Sequence, residues 1–82
     1  MTKKETAKIL EFLQDTYPEF HKNYDDERMG RVITTWQSLF ADNSFDDVNK
    51  AVAEHIRTAK FPPAISEILE IIAINAPRQY LN

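Results

Sequence analysis

The fold is decided by the stretch Thr58-Ala-Lys-Phe-Pro-Pro-Ala-Ile-Ser-Glu-Ile-Leu-Glu70, in which one helical pattern stops and another begins. Pro62 disfavours a helical conformation for Phe61, and Pro63 has a φ angle that already suits a first helical turn. The two prolines therefore predict a rigid elbow between helix three, ending near Ala59, and helix four, starting within a few residues of Pro63. Because Phe61 is the bulky apolar side chain at this corner, we expect it to fill the core there.

Three helical patterns precede the elbow. Thr2 and Glu5 match a capping box, and apolar residues recur at helical spacing until Pro18, so helix one is expected over roughly Lys3–Thr16. Helix two is expected from Asp26 on, because acidic residues favour a helix start and a strong apolar face follows. That face consists of Met29, Val32, Ile33, Trp36, Leu39 and Phe40.

Helices three and four complete the pattern. Ser44 and Asp47 repeat the capping signature, which predicts helix three over about Phe45–Thr58. Helix four is expected to run until Pro77, with its core-facing arc formed by Ile65, Ile68, Leu69, Ile72, Ala73 and Ala76. No run alternates with period two for long enough to form a strand. The sequence therefore predicts an all-α fold, a single small four-helix domain over residues 1–77 with short connections and an elbow formed by Phe61, Pro62, Pro63 and Ile65.

The helical faces predict one shared core. Its expected members are Leu10, Leu13, Trp36, Leu39, Phe40, Val52, Ile56, Phe61, Ile68 and Ile72. Phe20 and Tyr24 are expected to anchor the loop between helices one and two. Gly30 interrupts helix two and has two interpretations: it lets another helix approach closely, or it marks a weak first turn. The second is favoured, and it costs roughly 1 kcal/mol relative to alanine.

Composition limits the function classes. The 82 residues, 43% of them hydrophobic, form one small domain, and no stretch approaches the length of apolar residues that spans a bilayer. The formal charge of −3 argues against nucleic acid as the main ligand. The chain has no cysteine, which fits a reducing cytosol and excludes disulfides and thiolate metal sites. We expect a cytoplasmic protein with no membrane association and no direct contact with nucleic acid.

Catalytic chemistry is not indicated. With a single glycine, the chain cannot contain the phosphate-binding motifs that need several close backbone approaches, and it also lacks the serine nucleophile elbow. His21 and His55 lie in different elements and do not form a metal-ligand pair. The acidic pairs lie where first-turn carboxylates belong, so helix capping explains them better than acid–base catalysis. The sequence therefore predicts a protein that is not an enzyme and has no cofactor or metal.

Two isoleucines of helix four fall outside its core-facing arc. Ile71 and Ile74 have no obvious partner within the domain when residues are placed 100° apart. One interpretation is that they are ordinary exposed apolar residues. The other is a partner-binding surface that extends beyond Pro77, formed by Ile71, Ile74, Arg78, Tyr80 and Leu81.

Three segments together resemble a known family. They are Thr16-Tyr-Pro-Glu-Phe20, Trp36-Gln-Ser-Leu39 and His55-Ile-Arg-Thr-Ala-Lys-Phe-Pro-Pro-Ala-Ile-Ser-Glu-Ile68, of which the last is the most specific. The chain is similar to the small helicase loader and inhibitor family of phages of Gram-positive bacteria. The resemblance implies an all-helical, non-enzymatic adaptor for DNA replication in the host cytoplasm, monomeric by itself. Such an adaptor binds the hexameric replicative helicase, holds it inactive and delivers it to an origin-bound initiator protein.

Two departures from the family pattern stand out. Ala64 occupies a position where the family often has Ser or Thr, so the capping partner of Glu67 is missing, at a cost of about 1 kcal/mol. The family has a flexible tail after the folded domain, and we expect residues 78–82 to be the truncated start of such a tail. A helix-turn-helix type DNA-binding or regulatory phage protein is the alternative function, although no helix face is rich in Arg and Lys.

Overall fold

The structure is a computed structural model that describes residues 1–76. It contains four helices, α1 (Lys3–Thr16), α2 (Asp26–Leu39), α3 (Phe45–Thr58) and α4 (Ile65–Asn75). No strand occurs within the described residues, so the predicted all-α fold is confirmed. No helix of residues 1–76 is long and apolar enough to cross a membrane.

The helices begin where local capping bonds satisfy their first backbone N–H groups. At α1 the full capping box is present, since Thr2 Oγ1 accepts from Glu5 N at 3.0 Å and Glu5 Oε1 accepts from Thr2 N at 2.9 Å. The side chains of Asp25 and Ser44 each accept from the backbone N–H three residues on, at 2.8 and 3.1 Å. These short-range bonds explain why the predicted starts of α1, α2 and α3 agree with the structure.

Two central helices hold the domain together. α1 packs against α2 and α3, and α3 packs against α1 and α4, which places α2 and α4 on the outside. The buried apolar core consists of Ile9, Leu10, Leu13, Tyr17, Trp36, Phe40, Val48, Ala51, Val52 and Ile68. Six of the ten predicted core residues belong to it, namely Leu10, Leu13, Trp36, Phe40, Val52 and Ile68. Ile56 and Ile72 are half-buried and pack against its edge.

Two predicted core residues lie on the surface. Leu39 is 53% exposed, because it ends α2, a helix that packs mainly against α1, while the next residue, Phe40, turns inward and is fully buried. Phe61 is 73% exposed, so the expectation that it fills the core at the elbow is wrong. The inside of that corner is occupied by Tyr17 and Pro63, which are both buried.

The turn between α1 and α2 is short and partly strained. Phe20 packs against the core, with its ring 6.3 Å from that of Trp36 in an edge-on arrangement, as expected for an anchor residue. His21 has a φ of 52°, a left-handed conformation that is uncommon for residues other than glycine. The second interpretation of Gly30 also holds, because a Cβ placed there would meet no atom within 4 Å.

Candidate partner-binding surfaces

The predicted partner surface on α4 is only partly available. Ile74 is 74% exposed, and it lies one residue before the end of α4. Ile71, by contrast, is half-buried and packs against the core, so the expectation that it has no partner within the domain is wrong. α4 lies against α3 along a broader face than a single arc of the helix predicts. Arg78, Tyr80 and Leu81 lie outside the described residues, and their role stays a prediction.

A polar pocket lies next to this end of α4. It has a volume of about 450 Å³, and it is lined by Asp47, Lys50, Ile72, Asn75 and Ala76. Asn75 Nδ2 also donates to Glu54 Oε1 at 3.2 Å, which ties the last turn of α4 to α3. The two carboxylates make the environment of Ile74 mainly acidic.

The elbow between α3 and α4 is held by two side chains. Tyr17 OH donates to the Ala59 carbonyl oxygen at 3.0 Å, and His55 Nε2 donates to the Phe61 carbonyl oxygen at 2.8 Å. Both bonds satisfy backbone acceptors that no longer have a helical partner after α3 ends. His55 therefore has a structural role in this turn.

The other elbow residues lie around this turn. Pro62 is half-buried and Pro63 is buried, and Ile65 packs against the core from the first position of α4. At Ala64 only half of a capping box is present: Glu67 Oε1 accepts from Ala64 N at 2.8 Å, but alanine has no oxygen to return the bond.

An apolar groove opens beside the exposed Phe61. We call it the corner groove; it has a volume of about 460 Å³ and is lined by Tyr17, Pro18, Glu19, Phe20, His21, Lys60, Phe61 and Pro62. It joins the turn after α1 to the turn after α3. Sequence reasoning missed this groove. The available signal was Phe61 itself, an aromatic residue between a lysine and two prolines.

A stack of rings continues from the corner groove towards α2. The His21 ring lies 3.9 Å from that of Phe20 and 4.6 Å from that of Tyr24, and the Arg28 guanidinium lies 3.8 Å above the Tyr24 ring. Burial and, secondarily, the charge of Arg28 lower the pKa of His21 below 6.5. His21 Nδ1 is buried without a hydrogen-bond partner among the described residues, which also disfavours protonation.

Neither histidine is arranged for catalysis within residues 1–76. His55 is bonded to a backbone carbonyl, and His21 is packed between two aromatic rings. No cluster of His, Asp and Glu in the described part of the chain could hold a metal ion. What the geometry offers instead is a set of apolar surfaces with charged edges, which suits contacts with another protein.

One comparison with known proteins gives a match. The family model for the N-terminal domain of a phage helicase loader/inhibitor matches residues 1–69. The chain belongs to this family. The resemblance stated from the sequence is therefore confirmed. No curated protein and no solved structure matches the chain significantly.

The helicase loader/inhibitor match covers α1, α2, α3, the elbow and the start of α4. The corner groove therefore lies entirely within the matched region. Ile71 and Ile74 lie just beyond it, so the family match does not extend to the surface predicted at the end of α4.

Proposed function

We propose that this chain is a non-enzymatic adaptor in phage DNA replication, acting as a monomer in the host bacterial cytoplasm. It binds the hexameric replicative helicase, keeps the helicase inactive and delivers it to an origin-bound initiator protein. The single observation that carries the proposal is the family match over residues 1–69, because a loader/inhibitor family implies contact with a replicative helicase. The apolar surfaces with charged edges described above are consistent with such a role.

The helicase-binding surface in this proposal is the end of α4 together with the residues that follow it. Ile74 supplies an exposed aliphatic side chain there, and the half-buried Ile71 supports it from the core side. Arg78, Tyr80 and Leu81 complete the surface in the proposal, since tyrosine and arginine are common among residues that dominate binding energies.

The test combines the protein with the replicative helicase of the same phage or its host. We expect the two proteins to elute together in size-exclusion chromatography, and the helicase's unwinding rate to fall until the initiator is added. If a stoichiometric excess of the chain neither binds the helicase nor changes its unwinding, the proposal is wrong.

Ile74→Ser tests the surface, and Leu39→Ser is its matched control. Both residues are exposed aliphatics at the ends of outer helices, so each substitution should change the free energy of unfolding by no more than about 0.5 kcal/mol. Ile74→Ser should weaken helicase binding, and Leu39→Ser should leave it unchanged. Equal binding by both variants would place the helicase contact elsewhere.

The alternative DNA-binding function has a separate readout. On α2, Arg31 Nη1 lies 3.5 Å from Glu27 Oε2, so the charge of one of its two arginines is offset on the same helix face. We therefore expect only weak binding to duplex DNA in a gel shift. Tight binding that falls steeply with added salt would favour the helix-turn-helix alternative over the adaptor.

A further inference from the structure

Phe61 is an exposed aromatic residue on a rigid support. Its side chain is 73% exposed, although its backbone lies between two hydrogen bonds that fix the elbow: Tyr17 OH to the Ala59 carbonyl, and His55 Nε2 to the Phe61 carbonyl. The two prolines that follow restrict the backbone further. A side chain held in this way loses little conformational freedom when a partner covers it, which is the property of a preorganised binding residue.

The groove beside Phe61 has the composition of a binding pocket for an apolar side chain. Phe20, Tyr17, Pro18 and Pro62 form its walls, and the Phe20 ring is itself braced against Trp36. The volume of about 460 Å³ is enough for one bulky side chain and part of its neighbours.

The charges at the rim indicate the sign of the partner. Glu19 Oε2 lies 3.5 Å from Lys22 Nζ, so the carboxylate that lines the groove is matched by a cation. Lys60 also lines the groove, and no carboxylate within residues 1–76 lies at ion-pair distance from it. Arg57 in the last turn of α3 adds a further positive charge near this end. The rim is therefore positive overall, which complements an acidic segment.

We propose that the corner groove is a second docking site, which takes a partner protein's segment with one bulky apolar residue flanked by acidic residues. The corner groove lies at the start of α4 and Ile74 near its end, about 15 Å apart along the helix axis at 1.5 Å per residue. Two different partner segments can therefore bind at the two ends of α4. This goes beyond the proposed function, because it does not depend on the helicase or on the end of α4.

The proposal is tested with the protein alone and a displayed library of random dodecapeptides. Selection should enrich peptides that carry an aromatic or large aliphatic residue next to Asp or Glu. In ¹⁵N–¹H spectra, a synthetic version of an enriched peptide should shift the amide signals of residues 19–21, 60 and 61. Phe61→Ser should weaken its dissociation constant by roughly tenfold or more.

Two further variants make the result specific. Lys60→Glu should weaken binding several-fold and reduce its dependence on salt, whereas Leu39→Ser, with an exposed aliphatic residue removed from another helix end, should bind like the unchanged protein. Circular dichroism checks that each variant is folded.

Several outcomes overturn the proposal. They are the absence of any enriched peptide, enrichment of basic peptides, and undiminished binding by both Phe61→Ser and Lys60→Glu. A concentration-dependent dimer in sedimentation velocity that Phe61→Ser abolishes would instead assign the groove to a second copy of this chain. None of these results bears on helicase binding, which Ile74→Ser tests separately.

Discussion

The start of α4 lacks one hydrogen bond that the other three helices have, and Ala64→Ser should restore it. Ala64 is exposed, and its φ of −77° and ψ of 158° are those of an N-cap residue. The reciprocal half of the capping box already exists, since Glu67 Oε1 accepts from Ala64 N at 2.8 Å. A serine hydroxyl at this position would accept from the backbone N–H of Glu67, as Ser44 does from that of Asp47 at 3.1 Å.

The expected gain is smaller than the full value of a cap. Replacing a good N-cap residue by alanine typically costs about 1 kcal/mol, within a range of about 0.5–2. Here the Glu67 N–H already donates to the Ala64 carbonyl oxygen at 3.0 Å, so it is not wholly unsatisfied. We therefore expect Ala64→Ser to raise the free energy of unfolding by about 0.5–1 kcal/mol. For a domain of this size, that corresponds to a rise in melting temperature of roughly 2–8 °C.

The assay is urea unfolding followed by far-ultraviolet circular dichroism, with calorimetry for the melting temperature. The slope of the unfolding free energy against urea should stay constant, because the substitution does not change the surface exposed on unfolding. Ala41→Ser, in the exposed turn after α2, is the control and should have little effect. Ser44→Ala should lower stability by about 1 kcal/mol, because it removes an existing cap. The reasoning fails if Ser44→Ala destabilises and Ala64→Ser has no effect, or if Ala41→Ser stabilises equally.

Three further substitutions test other parts of the structure. Gly30→Ala should stabilise the domain by about 0.5–1 kcal/mol in urea unfolding, because the added Cβ meets no atom within 4 Å; a loss of stability would show a hidden close contact. Tyr17→Phe should cost about 0.5–1.5 kcal/mol in the same assay, because it removes the bond to the Ala59 carbonyl, and an unchanged midpoint would contradict the role assigned to that bond. The lowered pKa of His21 means that the unfolded chain binds more protons, so the melting temperature should fall as pH drops below 6.5, and His21→Asn, which tolerates the positive φ, should reduce that fall; an equal slope in both proteins would contradict this.

The helix boundaries were predictable because their causes are local in sequence. Thr2 with Glu5, and Ser44 with the residues after it, bring donor and acceptor together within one turn, so a short window of sequence contains the whole interaction. The same holds for Gly30, whose cost in a helix does not depend on a distant neighbour. The family resemblance also depended on local motifs, and the match over residues 1–69 confirms it.

The errors concern which neighbour covers a given face. A helical periodicity assigns Leu39 to the apolar side of α2, but it does not say that α2 packs mainly against α1 and leaves this last residue uncovered. The opposite error affected Ile71, which lies outside the main arc of α4 and is nevertheless packed against the core. Both depend on how the helices are placed in space, and this information is not contained in any single helical pattern.

The corner groove follows from one such long-range choice. Two aromatic residues, Tyr17 and Phe61, compete for the inside of the elbow, although they lie far apart in the chain. Tyr17 is the better occupant, because its ring is buried while its hydroxyl satisfies the Ala59 carbonyl, which a phenylalanine cannot do. With that position taken, Phe61 is left on the outside of the turn, next to the aromatic and proline side chains of the α1 end. The residue that made the core prediction wrong is therefore the one that gives the corner groove its exposed aromatic wall.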